Sequence, residues 1–377
     1  MLRILDVNPS FRPAYSYGGP IESGYELCRH LAEAGADVRV LTTNSNGIGR
    51  VTDVPTGIEV AMGPRFTVRY CRKIARHSIS AELIRLLDGY VRWADVVHLT
   101  GVYNFPTFPT LIACRIHKKP LLWSPRGALQ DWSNFRRKQL KIAWCRIAQK
   151  AAPDDFVLHV TSELEKVQSA DFITARNFAV VPNGIVIPPV LNQVPSTGVL
   201  RLAYIGRLDR KKGIENLLDA CGRLARENFA FTLRVAGAGT ADYTEALRRR
   251  ARALGIDGLV EFAGDLRDDA KRALFENADV LVVPSYVENF GIVVAEGLAH
   301  RIPVIASEGT PWAEMEKIGC GLWIDNDPDS LTAAIRRISA LPMVEMGARG
   351  RSWMEREFSW TIMASRMIDC MTEMVAR

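Results

Sequence analysis

Short runs of β-branched and apolar residues alternate along this chain with longer stretches whose apolar positions recur every three to four residues. That alternation is the pattern of strands separated by helices in a parallel sheet. In the first half the strand-like runs are Leu2–Val7, Asp37–Leu41, Asp95–Leu99, Pro120–Trp123, Phe156–Val160 and Ala179–Val181, and helical periodicity is clearest at Ile21–Ala34 and Phe135–Ala151. The proline-bearing stretch Pro182–Gly198, poor in charge, then breaks the rhythm and reads as an interdomain linker. The rhythm restarts with Leu200–Ile205, Thr232–Val235, Val260–Phe262, Val280–Val283 and Pro303–Ala306.

Two such halves predict two Rossmann-like α/β domains, which suits a length of 377 residues. Ligands of open α/β sheets bind beyond the carboxyl ends of the strands, so residues just after strands are the ones to search for chemistry. Composition changes this picture little: 48% hydrophobic and 24% charged residues are values for a globular chain. No apolar run reaches the roughly 18 residues of a membrane span. The opening MLRILDVNPS is too soon interrupted for a signal peptide and reads as the first strand. Seven scattered cysteines without a CxxC pair predict reduced thiols, a cytoplasmic location and no cysteine metal site.

Charge adds one asymmetry. Residues 1–190 hold 24 Lys and Arg against 16 Asp and Glu, whereas residues 191–377 hold 24 against 26. An anionic partner is therefore expected for the first half: a membrane surface, a phosphorylated acceptor or nucleic acid. Nucleic acid is the weakest of these, because the basic residues lack an aromatic platform or a known module. Phe135–Lys150 sets Leu140, Ala143, Trp144 and Ile147 at helical spacing beside Arg136, Arg137, Lys138, Lys141, Arg146 and Lys150. Such a helix suits the face of an anionic membrane, and equally a surface helix with its apolar side in the core.

Two elements of the second half carry chemistry. GRLDRKKG, Gly206 to Gly213, follows the strand LAYIG directly. Arg207 and Lys212, with a helix N-terminus at Gly213, supply the guanidinium, the ammonium and the free N–H groups that a diphosphate requires. A solvated basic loop is the plainer reading. The second element runs from Glu288 to Glu296 after the strand VLVVPS. Glu296 falls on a helix face of Ile, Val, Ala and Leu, where a carboxylate must find donors or become neutral. Ribose hydroxyls would serve, as would an internal Arg. The backbone at Asn289, Phe290, Gly291 and Ile292 offers N–H groups at a helix start to a phosphate or sugar oxygen.

With these motifs, the chain resembles the retaining family-4 glycosyltransferases of GT-B fold. The pieces that match in order are YGGP (Tyr17–Pro20), HVTSELE around Glu163, VPNG (Val181–Gly184), GRLDRKKG, PSYVENFGIVVAEGLAHRIPVIAS and FSW (Phe358–Trp360). The resemblance implies two parallel-sheet domains facing across a cleft, with a last helix that crosses back to the first domain. Residues 1–183 with 358–377 would form the acceptor-binding domain, and 198–357 the nucleotide-sugar-binding domain. It implies Arg207 and Lys212 on the donor diphosphate, Glu296 on the ribose and Glu288 near the transferred sugar. Gly18, Gly19 and Gly206 would line the phosphates, and Gly264 would present backbone to the base. Where many relatives have His in a Ser-Pro-His-Gly loop, this chain has Ser124-Pro125-Arg126-Gly127. Arg126 is no base, but it can hold a hydroxyl, carboxylate or phosphate; bracing of its loop is the alternative. His98 and Tyr103 join it as acceptor-side candidates, although a lone His after a strand is often merely packed.

The activity so implied is transfer of a hexose, with retention, from a UDP- or GDP-sugar to a saccharide or lipid-linked acceptor in cell-surface polysaccharide synthesis. No metal and no cofactor are expected, and the inner face of the cell membrane is a place of contact. The alternatives are an epimerase or hydrolase of the same fold, and a non-catalytic subunit that only binds the nucleotide-sugar. Three weaker signals are set aside. Asp325-Asn326-Asp327 precedes Pro328 and reads as an acidic helix start rather than a metal motif. Gly237-Ala-Gly239 lacks the third glycine of a dinucleotide fingerprint. The methionines at 343, 346, 354, 363, 367, 371 and 374 read as packing residues.

Overall fold

The computed structural model describes residues 1–47, 49–130, 138–190 and 198–377. They form two compact units, Met1–Gly184 with Trp360–Arg377, and Ile185–Ser359.

In the first unit the strands are β1 (Arg3–Val7), β2 (Asp37–Thr43), β3 (Glu59–Gly63), β4 (Phe66–Cys71), β5 (Val96–Thr100), β6 (Leu121–Ser124), β7 (Val157–Val160) and β8 (Asn177–Val180). They form one sheet in the order β3-β4-β2-β1-β5-β6-β7-β8. Every pairing is parallel except β3 with β4. The central strands bury nearly every residue, as a sheet covered on both faces requires. The helices are α1 (Gly19–Glu33), α2 (Ala81–Trp93), α3 (Thr107–Ile116), α4 (Lys138–Ala151) and α5 (Glu163–Ala170). Ser80 and Ser162 cap α2 and α5 by accepting the N–H of Leu83 and Glu165. Helix α1 starts before the expected Ile21 because Pro20, with no N–H to satisfy, is tolerated in a first turn. Residues 135–137 of the expected helix Phe135–Ala151 lie outside the described residues.

The second unit contains β9 (Leu200–Ile205), β10 (Phe231–Ala236), β11 (Val260–Gly264), β12 (Val280–Val283), β13 (Val304–Ser307) and β14 (Gly321–Ile324). Its helices are α6 (Ile214–Arg226), α7 (Ala241–Ala253), α8 (Asp268–Glu276), α9 (Ile292–Ala299), α10 (Glu314–Ile318), α11 (Pro328–Ser339) and α12 (Met343–Glu357). All its strand pairs are parallel, in the order β11-β10-β9-β12-β13-β14. This is the doubly wound order in which the chain reverses its winding between the first and fourth strands, β9 and β12. The equivalent reversal of the first unit lies between β1 and β5.

Phe358 stays with the second unit, where its ring packs on Trp312 and Trp353 at 5.4 Å. From Trp360 the last helix, α13 (Trp360–Ala376), belongs to the first unit. Trp360, Met363, Met367, Met371 and Met374 follow each other at helical spacing and are buried with Leu27, Cys28 and Leu31 of α1. Gly184 lies under Trp360: a Cβ there would stand 2.4 Å from the indole. The late methionines are thus packing residues. All seven cysteines are free, and six of them are buried.

Candidate functional site

Both loops singled out in the second half leave the two strands at the reversal, GRLDRKKG after β9 and the Glu288 loop after β12. Their geometry leaves little freedom. Gly206 has φ 156°, and a Cβ on Gly237 would stand 1.7 Å from its carbonyl oxygen, so the Gly237-Ala-Gly239 signal is a packing requirement. Asp209 accepts the N–H of Lys211 and closes a single 3-10 turn, Arg210–Lys212. Gly213 then adopts the left-handed conformation (φ 63°) and starts α6. A Cβ at Gly213 would lie 2.0 Å from the Pro284 carbonyl oxygen, so only glycine lets the two loops meet. Tyr286 N–H donates to Lys211 O at 2.8 Å, and Glu288 N–H to Gly309 O at 2.8 Å.

This framework brings Lys212 and Glu288 together as a buried ion pair. Ser285 Oγ donates to the same carboxylate oxygen of Glu288 at 2.8 Å. Burial alone would raise the Glu288 carboxyl. The charge and hydrogen bond of Lys212, the Ser285 hydroxyl and the charge of Lys211 together hold it below the usual glutamate range. Glu288 is therefore an ionised carboxylate whose Oε1 is shared by Lys212 and Ser285. Lys211, which sequence reading passed over, is held below the usual lysine range by burial and then by the adjacent Lys212. Arg207, at the strand exit, is exposed and makes no ion pair among the described residues. The loop thus offers the exposed guanidinium groups of Arg207 and Arg210, two crowded ammonium groups and a helix start, a set of donors that suits an anion.

The Glu296 carboxylate is largely buried, as expected, and Lys271 of α8 holds it at 2.6 Å. The internal cation anticipated as an alternative to ribose is therefore present, as Lys instead of Arg. The Phe290 ring is buried against Trp312 (5.1 Å between centroids), and its carbonyl accepts the Trp312 indole N–H. Only its backbone is placed to serve a ligand. Gly291 is the left-handed residue (φ 73°) that starts α9, Ile292 is the first helical residue, and Asn289 is half-buried in the same loop. The carbonyl of Gly264 accepts from Gly237 N–H, and the space around its α-carbon is open. Asp327 accepts from the N–H groups of Asp329 and Ser330 and caps α11, as an acidic helix start does. No group of three or more His, Cys, Asp and Glu able to hold a metal ion is present among the described residues.

In the first unit, Gly18 (φ 72°) and Gly19 form the exposed start of α1, with open space around Gly18. Arg126, in the left-handed conformation (φ 52°), donates to Asn183 Oδ1 just past β8. Burial holds its guanidinium below the usual arginine range, against the pull of Glu165 and Asp6. Glu165 is itself buried: Oε1 accepts Gly127 N–H at 2.6 Å, and Oε2 accepts the N–H and hydroxyl of Thr161 at 2.7 and 2.9 Å. Burial raises its carboxyl despite these donors. The sequence reading missed Glu165 as a site residue, although it lies in the matched HVTSELE segment. His98 does not face an open site. It is buried, with Nδ1 at 2.7 Å from Asp6 Oδ2 and Nε2 at 3.4 Å from His159 Nδ1. Tyr103 lies by α4, its hydroxyl 3.6 Å from Cys145 Sγ and its ring under the Lys141 ammonium, and it shares no described partner with Arg126.

Two family patterns match the sequence: the one described as Glycosyl transferases group 1 over residues 193–353, and Glycosyltransferase Family 4 over residues 17–187. A glycogen synthase of Mycobacterium tuberculosis is 31% identical over 97% of this chain and 93% of its own. A GDP-mannose:cellobiosyl-diphosphopolyprenol alpha-mannosyltransferase of Xanthomonas oryzae pv. oryzae is 24% identical over 91% and 88%. In fold, the chain is similar to HepE of Anabaena solved with UDP and glucose, with a TM-score of 0.73 and 17% identity over 99% of this chain and 100% of that one. The chain is a member of glycosyltransferase family 4, the glycosyl transferases group 1, and has the GT-B fold.

Proposed function

We propose that this glycosyltransferase moves a hexosyl group, with retention of configuration and without a divalent metal, from a UDP- or GDP-sugar to a saccharide or lipid-linked acceptor in cell-surface polysaccharide synthesis. The observation that carries the donor assignment is the exposed Arg207, unpaired among the described residues, beside Lys211 and Lys212 at the winding reversal of the second sheet. Charge that builds on a departing nucleoside diphosphate is stabilised there by donors already in place. Glu288, neutralised by Lys212, then orients the ammonium and the transferred sugar rather than attacking it, and the leaving phosphate accepts the acceptor's proton. Glu296 binds the ribose alongside Lys271. Arg126 holds a hydroxyl or anionic group of the sugar or acceptor, and the Glu165 brace fixes its loop. Supporting the donor class are HepE, a structural neighbour solved with UDP and glucose, and the Xanthomonas relative, whose name specifies GDP-mannose. A panel of UDP- and GDP-sugars, scored by nucleoside diphosphate release with chelator present, tests the reading. Release that requires an added divalent cation would contradict it, and conversion of the sugar without acceptor would indicate an epimerase or hydrolase.

The same proposal includes contact with an anionic membrane through the first unit. No helix of the described residues is long and apolar enough to cross a membrane. Helices α2, α3 and α4 instead enclose an apolar groove of about 500 Å³, lined by Ile84, Phe108, Ile112, Ile116 and Trp144. Ile84, Ile112 and Ile116, with Leu140 and Ile147 on α4, are exposed to between 47% for Ile112 and 68% for Ile116. Lys138, Arg146 and Lys150 of α4 lie exposed on the same helix. Apolar insertion flanked by cations is the chemistry of an interfacial helix.

A further inference from the structure

The first unit carries a buried polar chain that the proposed reaction does not use. Asp6 of β1 and His98 of β5 are in-register neighbours, and both are almost fully buried. Asn8 donates to the second carboxylate oxygen of Asp6. Beyond His98 lies the equally buried His159 of β7, whose Nε2 is 3.0 Å from Val181 O. Two residues on, Asn183 holds Arg126. The chain therefore runs Asp6–His98–His159–Val181 and continues through the backbone to Asn183 and the guanidinium.

Its proton count follows from the acceptors. A backbone carbonyl can only accept, so His159 Nε2 bears a proton. Burial, then the charges of Arg126 and His98, hold His159 far below the usual histidine range, so it is neutral and its Nδ1 is an acceptor. His98 Nε2 must then donate to it. His98 Nδ1 faces a carboxylate oxygen, which also requires a proton between them. Asp6 and His98 thus hold two protons between them and form a pair of zero net charge, which is how a low-dielectric interior tolerates such groups.

We infer that Asp6, His98 and His159 are positioning residues: a directional hydrogen-bond relay fixes the Val181–Asn183 segment and, through Asn183, the orientation of Arg126. The inference rests on the role proposed above for Arg126, whereas the relay itself stands on geometry alone. His159→Phe is the sharp probe because it keeps a buried ring but removes both ring nitrogens. Val181 O then loses its donor and His98 Nε2 its acceptor, and the relay breaks.

The experiment combines side-chain nitrogen NMR with kinetics on the full chain. In the wild type two buried histidines each carry a proton on Nε2, and the second of them, His159, carries it on that nitrogen alone. Arg→Lys substitution at 126 identifies a slowly exchanging guanidinium signal. In His159→Phe the signal of the second histidine disappears and the Arg126 signal averages. The kcat falls about tenfold, donor KM stays within about twofold, and adding Arg126→Ala causes little further loss, as for groups of one network. A wild-type His98 without a proton on Nε2 overturns the relay. An unchanged Arg126 signal, or fully additive losses, overturns the link to Arg126. A wild type that transfers no sugar refutes the proposed function, while the NMR arm still decides the relay.

Discussion

Lys212 and Glu288, 76 residues apart in sequence, meet as a buried ion pair that joins the two loops at the winding reversal of the second sheet. Breaking a buried pair from one side leaves an uncompensated charge, which costs about 3–5 kcal/mol. Lys212→Met is expected to lose stability on that scale in urea unfolding. Adding Glu288→Gln to it should restore most of the loss. Equal stability of the single and double variants would show that the pair contributes nothing.

The pair also sets a pH dependence. The folded-state carboxyl of Glu288 lies below its unfolded value, so the pair's contribution is complete above the ordinary glutamate range and is lost as pH falls through the depressed value. Unfolding free energy of the wild type should therefore drop more steeply between about pH 5 and pH 3 than that of the Lys212→Met, Glu288→Gln double variant. Parallel profiles would contradict this.

How much of this was legible in the sequence varied with how local the cause was. β9 and β12 were read to the residue because a near-continuous apolar run, interrupted only by Arg201 in β9, is the signature of a covered parallel strand. β3 and β4 were missed: they form an antiparallel pair at the sheet edge, and β3 alternates half-exposed and exposed residues around glycine and proline. β14 was missed because a four-residue run opening with Gly321 carries little signal. In the site, positions after strands were predictable, whereas partners were not. Lys212 with Glu288, Lys271 with Glu296 and Asp6 with His98 are created by topology between distant segments. His98 reads as an acceptor-side candidate in the sequence because nothing local reveals that Asp6 faces it across β1 and β5.

Arg207 provides the converse of the buried pair. Being exposed and unpaired among the described residues, it is proposed to serve the donor and not the fold. Arg207→Ala should leave unfolding within about 0.5 kcal/mol of wild type. Turnover should fall about a hundredfold or more, as for loss of a transition-state donor. A near-normal kcat would remove Arg207 from the donor site.

Glycines at positive φ separate strain from contact. Gly264→Ala has open space and should lose only the backbone term, about 1–2 kcal/mol. Gly213→Ala meets the Pro284 carbonyl as well, so it should lose clearly more and weaken nucleotide binding by displacing the Arg210–Lys212 turn. Thermal unfolding and nucleotide titration of both variants measure the difference; equal losses would show that the loops give way.

The apolar groove makes its own prediction. Ile112→Glu with Ile116→Glu should abolish flotation with anionic vesicles at low salt while leaving transfer to a water-soluble acceptor intact. Wild-type protein that fails to float would end the membrane proposal without touching the donor site.

Most direct of all is calorimetric titration of the wild type and Arg207→Ala with UDP and GDP in the presence of chelator. The account predicts that one of the two nucleotides binds the wild type and that this binding is weakened at least tenfold by the substitution, the scale of one charge-assisted hydrogen bond. Absence of binding to either nucleotide at millimolar concentration, or equal affinity of the two proteins, would contradict it.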